Sequence, residues 1–144
     1  MSVKPIFFAL DGPNLNEFEF MLKKLEGHIF GVKVGLEMFI SEGPKVVEKL
    51  KKDGWTVFLD LKLHDIPNTV EKGVKAIGKL KPLLTTVHIS GGNEMMKASI
   101  KNKKDTKILG VSVLTSLDAN MTKLYYNEKN FFCKRFYKKI ALFL

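Results

Sequence analysis

The stretch FLDLKLHDIPNTVEKGVKAIGKL, residues 58–80, joins an apolar strand to an amphipathic helix and puts three charges at the junction. Successive side chains of a strand point to opposite faces, so Asp60 and Lys62 share one face while Leu59, Leu61 and Leu63 turn to the other, toward covering helices. Asp65 follows at the carboxyl end of the strand. Pro67 suits the first turn of the next helix, where its missing N–H has no partner to lose. Val70, Val74 and Ile77 then recur along one helical face, with Gly73 and Gly78 each weakening the helix by about 1 kcal/mol.

This strand-then-helix unit repeats. Runs of strand character occur at PIFFALD (5–11), IFGVKVG (29–35), WTVFLDLKL (55–63), LLTTVHIS (83–90) and KILGVSVLT (107–115). In NEFEFMLKKLEG, Phe18, Met21, Leu22 and Leu25 share a helical face; in GPKVVEKLKKDG, Val46, Val47 and Leu50 do, with Gly54 as a stop. Strand starts return roughly every two dozen residues, the rhythm of consecutive βα units and so of a parallel sheet. The strands lack simple in-out alternation, as expected when both faces are covered. The class is α/β with five units, and both a doubly wound sheet and an incomplete (β/α) barrel fit this rhythm.

A length of 144 residues, 45% hydrophobic and 27% charged, points to a single globular domain rather than a disordered or fibrous chain. With Cys133 as the one cysteine, no intrachain disulfide can form, and a reducing compartment is the simpler assumption. The amino-terminal apolar run, Ile6 to Leu10, is too short for a signal-peptide core or a membrane span, so a cytoplasmic location is expected. Net charge is +9 and every basic residue but Arg135 is lysine. Such an excess could favour phosphate-bearing ligands or nucleic acid in general, but spread over helix faces it reads as solvated surface, not as a site.

The last segment, NEKNFFCKRFYKKIALFL (127–144), departs from the rest. As a helix it puts Phe132, Phe136, Ile140 and Phe143 along one side and Lys134, Arg135, Lys138 and Lys139 on the other. It reads as an atypical basic amphipathic tail, distinct from the βα portion at 1–126, and more simply as a sheet-covering helix or foreign sequence than as a membrane-surface element.

Polar groups recur at every strand end: Asp11 after the first strand, Lys33 near the end of the second, Asp60, Lys62 and Asp65 around the third, His88 on the fourth, Thr115 and Ser116 after the fifth. The carboxyl ends of parallel strands form the ligand-binding face of α/β architectures. Lysines and aspartates buried there alone would be costly, so they are expected to alternate in one paired network.

The strings FALD (8–11), KVGLEMF (33–39), FLDLKLHDIPNTV (58–70), TVHISGG (86–92) and VLTSL (113–117) resemble, in order and spacing, the bacterial type of the orotidine 5′-phosphate decarboxylase family. DLKLHDIPNT is the most specific of them, and the match runs from about residue 5 to about residue 120. The resemblance implies a TIM-type (β/α)₈ barrel acting as a homodimer. It implies conversion of orotidylate to uridylate and CO₂ in pyrimidine biosynthesis, with no metal and no organic cofactor. Carried onto this chain, the family's charged tetrad is Lys33, Asp60, Lys62 and Asp65, the last reaching into a neighbouring subunit with Ile66 and Thr69 beside it. Asp11 and Lys33 would hold the ribose hydroxyls and Ser116 the pyrimidine. His88 is left as structural in preference to ribose-proximal. No nucleic acid or membrane partner is implied.

Barrels of this type need roughly 200 residues or more, and the sequence shows five units without the late glycine and arginine loops that hold the 5′-phosphate in this family. The expectation is therefore a truncated decarboxylase with impaired activity. The alternatives are a catalytically dead binding or interaction remnant, or a magnesium-dependent sugar-phosphate relative, whose second strand would carry an acidic ligand where Lys33 stands.

Overall fold

The five expected strands form and pair in parallel in simple chain order. A computed structural model describes residues 4–125, with β1 at Lys4–Leu10, β2 at Ile29–Val34, β3 at Val57–Leu63, β4 at Leu84–His88 and β5 at Lys107–Val111. The sheet order is β1-β2-β3-β4-β5, with β1 and β5 at its edges. Helices fill the crossovers: α1 at Glu19–Leu25, α2 at Leu36–Glu42, α3 at Lys45–Lys52, α4 at Pro67–Leu80 and α5 at Gly92–Lys101, with α6 at Ala119–Tyr125 after the last strand. Pro67 opens α4 as its sequence position requires. The helical pattern beginning near Asn16 resolves into a 3-10 turn, Leu15–Phe18, followed by α1; the Asn14 side chain accepts the Asn16 N–H and the Glu42 carboxylate accepts that of Leu15.

Helix α2 was not anticipated as a separate element. Its seven residues bury only Met38, too little for a periodic signal.

The burial pattern chooses between the two architectures that the rhythm left open. Leu10, Val32, Val34, Val57 and Leu59, from β1 to β3, pack against Leu22, Met38, Val46, Val47, Leu50 and Ile77 of the helices. A second cluster joins Val87 of β4 to Val70, Val74 and Met95, with Ile108 of β5 packed against it. All of these strand residues share one face. A doubly wound sheet carries helices on both faces and reverses its strand order at a switch point; here the helices keep to one side and the order never reverses. The arrangement is part of a TIM-type barrel. Each fully buried aliphatic side chain in these clusters contributes roughly 1.5–3 kcal/mol.

Gly78 illustrates why a helix accepts a poor helix former. A Cβ there would lie 3.2 Å from the Lys103 carbonyl oxygen, so the glycine lets α4 settle against the segment leading into β5. The opposite face of the sheet carries the polar strand residues. Lys33 lies between Ala9 of β1 and Phe58 of β3 in the ladder, and Thr86 of β4 lies opposite Leu109 of β5. Toward the amino-terminal ends, Phe7 packs edge-on to Phe30 and Phe58, with ring centroids 5.4 and 5.7 Å apart. Among the described residues no helix is long and apolar enough to cross a membrane. The tail read at 127–144 lies outside the described residues.

Candidate active site

Asp60 is the centre of the polar face. It is 9% exposed, and three groups from three strands converge on its carboxylate. Lys62 Nζ lies 2.7 Å from Oδ2 and Lys33 Nζ, from β2, lies 3.9 Å from the same oxygen. Thr86, from β4, donates its hydroxyl to Oδ1 at 2.9 Å. Lys33 also reaches Asp11, just past β1, at 2.8 Å. The alternating network expected from the sequence is present as the run Asp11, Lys33, Asp60, Lys62, and a buried carboxylate held between two ammonium groups and a hydroxyl satisfies the requirement that buried charge be paired.

Lys62 reaches Asp60 by a route that strand alternation does not describe. Its φ is +51°, in the left-handed region, which costs a non-glycine residue about 1–2 kcal/mol. The ladder with β4 passes from Leu59 opposite Thr85 to Leu63 opposite Val87, so four residues of advance on β3 meet two on β4. The extra length is a bulge, the device by which a strand re-aims a side chain near a site. Within it the Lys62 backbone N–H donates to Thr86 Oγ1 at 2.8 Å in place of a ladder partner. Asp60 and Lys62 lie together through a bulge rather than along a regular strand.

The remaining expected residues are not drawn into this cluster. Asp65 is exposed and accepts the Ile66 N–H at 2.6 Å, and among the described residues it forms no ion pair. Ile66 is 66% exposed and Thr69 is also on the surface. Ser116 is exposed in the turn after β5, ahead of Asp118, whose carboxylate accepts the Met121 N–H as α6 begins.

His88, at the end of β4, stacks at a tilt on His64, with ring centroids 5.2 Å apart and planes at 36°. Its pKa falls below the ordinary 6.5, first because the ring is partly buried, then because His64 and the Lys62 ammonium lie nearby. Both neighbours disfavour a positive charge on the His88 ring. Two residues of the site were absent from the sequence reading. Thr86 had a faint signal, since it shares the polar face of β4 with His88; His64 had none beyond its place beside Asp65.

Known proteins resemble this chain in sequence and in fold. The orotidine 5′-phosphate decarboxylase / HUMPS family matches residues 4–130. A protein of Ligilactobacillus salivarius named orotidine 5′-phosphate decarboxylase is 52% identical over 128 residues, covering 83% of this chain and 54% of that protein. The crystal structure of an uncharacterized conserved protein from Geobacillus kaustophilus superposes with a TM-score of 0.75 at 40% identity, over 87% of this chain and 60% of the other. That of orotidine 5′-phosphate decarboxylase from Lactobacillus acidophilus gives 0.72 at 39% identity, over 88% and 59%. The chain spans about half the length of the curated relatives it matches. With the family match reaching across almost all of its residues, and the barrel topology agreeing with it, the chain belongs to the orotidine 5′-phosphate decarboxylase / HUMPS family.

Proposed function

We propose that this protein is a carboxy-lyase acting on orotidine 5′-phosphate, releasing CO₂ and uridylate, in cytoplasmic pyrimidine biosynthesis. The observation that carries the reading is the Asp60 carboxylate held between Lys62 and Lys33 on the polar face of the sheet. Breaking the bond from C6 to the carboxylate leaves an electron pair on C6 with no conventional sink. The site must therefore stabilise developing negative charge and then deliver a proton. Lys62 suits both tasks, as the nearby cation and as the acid that protonates C6. Asp60 orients that ammonium and would face the substrate carboxylate, disfavouring the bound ground state. Lys33, bridging Asp11 and Asp60, fixes the array from the other side and with Asp11 would receive the ribose hydroxyls. Ser116 would hydrogen-bond the pyrimidine.

Asp65 completes the tetrad from outside. Its exposure, with Ile66 and Thr69 equally uncovered, suits a loop presented to a second subunit, so a homodimer is part of the proposal. Binding of the remote phosphate normally supplies much of the transition-state stabilisation. Among the described residues there is no arginine to hold that phosphate.

The test is decarboxylation of orotidylate by the purified chain, read as loss of substrate absorbance with and without a chelator. Slow turnover that is insensitive to chelator and is abolished by Lys62→Ala supports the proposal. No turnover together with no binding of uridylate would leave an inert member of the family. Turnover that requires magnesium would point instead to the sugar-phosphate branch.

A further inference from the structure

We propose that Thr86 is a positioning residue that sets the catalytic geometry of both Asp60 and Lys62. The inference rests on the decarboxylase reading for its catalytic consequence but not for its structural content. Thr86 is 1% exposed, and its single hydroxyl makes two contacts, each to a different member of the charged array. It donates to Asp60 Oδ1 at 2.9 Å and accepts from the Lys62 backbone N–H at 2.8 Å. One oxygen thereby fixes the rotamer of the carboxylate and the backbone of the residue that supplies the ammonium.

The second contact matters because of where Lys62 sits. A left-handed lysine persists only where its surroundings over-determine it. In the bulge the Lys62 N–H has lost its place in the ladder, and the Thr86 hydroxyl is the acceptor that replaces it. Without that acceptor the segment can relax toward a regular strand, and the Lys62 ammonium, now 2.7 Å from Asp60 Oδ2, loses its aim.

The adjacent threonine shows what an ordinary buried strand threonine does. Thr85 is fully buried and donates its hydroxyl to the Leu59 carbonyl oxygen at 2.8 Å, touching none of the charged groups. Two neighbouring residues of one type thus differ in what their hydroxyls hold. Thr85 is the internal control.

The experiment compares the full chain with Thr86→Val, Thr86→Ser and Thr85→Val. Readouts are amide hydrogen exchange at Lys62 and steady-state turnover of orotidylate. In the unmodified chain the Lys62 amide should exchange slowly despite lacking a ladder partner. Thr86→Val should speed that exchange at least about tenfold and lower kcat by about 10- to 100-fold with little change in KM, the cost of a small misplacement of a reacting group. Thr86→Ser, which keeps the hydroxyl, should recover most of both, and Thr85→Val should leave both at the unmodified level. Rapid exchange at Lys62 in the unmodified chain would overturn the proposal without any variant having to fold. So would unchanged exchange in Thr86→Val, or failure of Thr86→Ser to recover kcat. If the unmodified chain neither turns over orotidylate nor binds uridylate while Lys62 exchange responds as expected, the decarboxylase reading fails and the positioning role stands.

Discussion

Replacing Asp60 by Asn keeps the shape of the side chain and removes the charge that two ammonium groups face, so it asks whether pairing outweighs the cost of burying a carboxylate. Lys62 Nζ and Lys33 Nζ lie 2.7 and 3.9 Å from Asp60 Oδ2. At an effective dielectric of about 20, those separations give gross attractions of about 6 and about 4 kcal/mol. Both are reduced. The Lys62 side chain is 42% exposed, so water screens the shorter pair. Taking the carboxylate out of water costs several kcal/mol more. Charge-assisted hydrogen bonds that survive such costs contribute about 1.5–3 kcal/mol, and one such bond, that to Lys62, is lost or weakened here. The expected loss is about 1–2 kcal/mol, or a fall in Tm of about 3–7 °C for a chain of this size. Urea unfolding followed by Trp55 fluorescence measures it, with an unchanged slope showing that the two folded states are equally compact. An Asp60→Asn chain as stable as the original, or more so, would refute the pairing argument. It would mean that the fold holds this charge array against its own energetics.

Gly31→Ala should be more damaging than its distance from the charges suggests. An added Cβ on β2 would collide with the Thr56 carbonyl oxygen, a backbone atom that cannot swing away, and would sit 2.9 Å from the Phe7 ring. A loss of about 2–3 kcal/mol in urea unfolding is expected, and a change below about 0.5 kcal/mol would contradict the packing described. His88 supplies a pH dependence. Because its folded pKa lies below 6.5, the unfolded chain binds more protons as the pH falls through that value, so stability is complete above it and declines as pH drops toward the folded pKa. His88→Gln should flatten that decline in unfolding midpoints measured across the window, and an undiminished slope would assign it to other groups.

The sequence made the sheet legible because apolar runs and helical faces alternate with little interference. Asp11, Lys33, Asp60 and Lys62 could be placed together for the same reason: strand ends of a parallel sheet converge on one side. What it could not convey was the bulge at Lys62, since nothing in LDLKL distinguishes a left-handed lysine from an extended one. Thr86 was hidden for a related reason. Threonine is a common strand residue, and its partners, one carboxylate and one displaced N–H, exist only once β3 has bulged against β4. The choice between barrel and doubly wound sheet was likewise unreadable from periodicity, because it depends on which face the helices cover and not on where they lie in the chain.

The position of each group across the sheet separates what this chain fixes from what depends on its surroundings. Lys33 lies on β2, Asp60 on β3 and Thr86 on β4, and each of those strands is hydrogen-bonded on both sides. The strands are therefore held by ladders whatever covers the sheet, with Asp60 one residue past Leu59, the last position of β3 paired before the bulge. Asp11 follows β1 and Ser116 follows β5, the two edge strands, where one row of backbone groups has no partner within the sheet. The charge centre is thus built into the interior of the described fold, while the groups proposed for ribose and pyrimidine stand at its margins. It follows that covering the edges, by further strands or by a second copy, should change substrate binding more than it changes the geometry around Asp60.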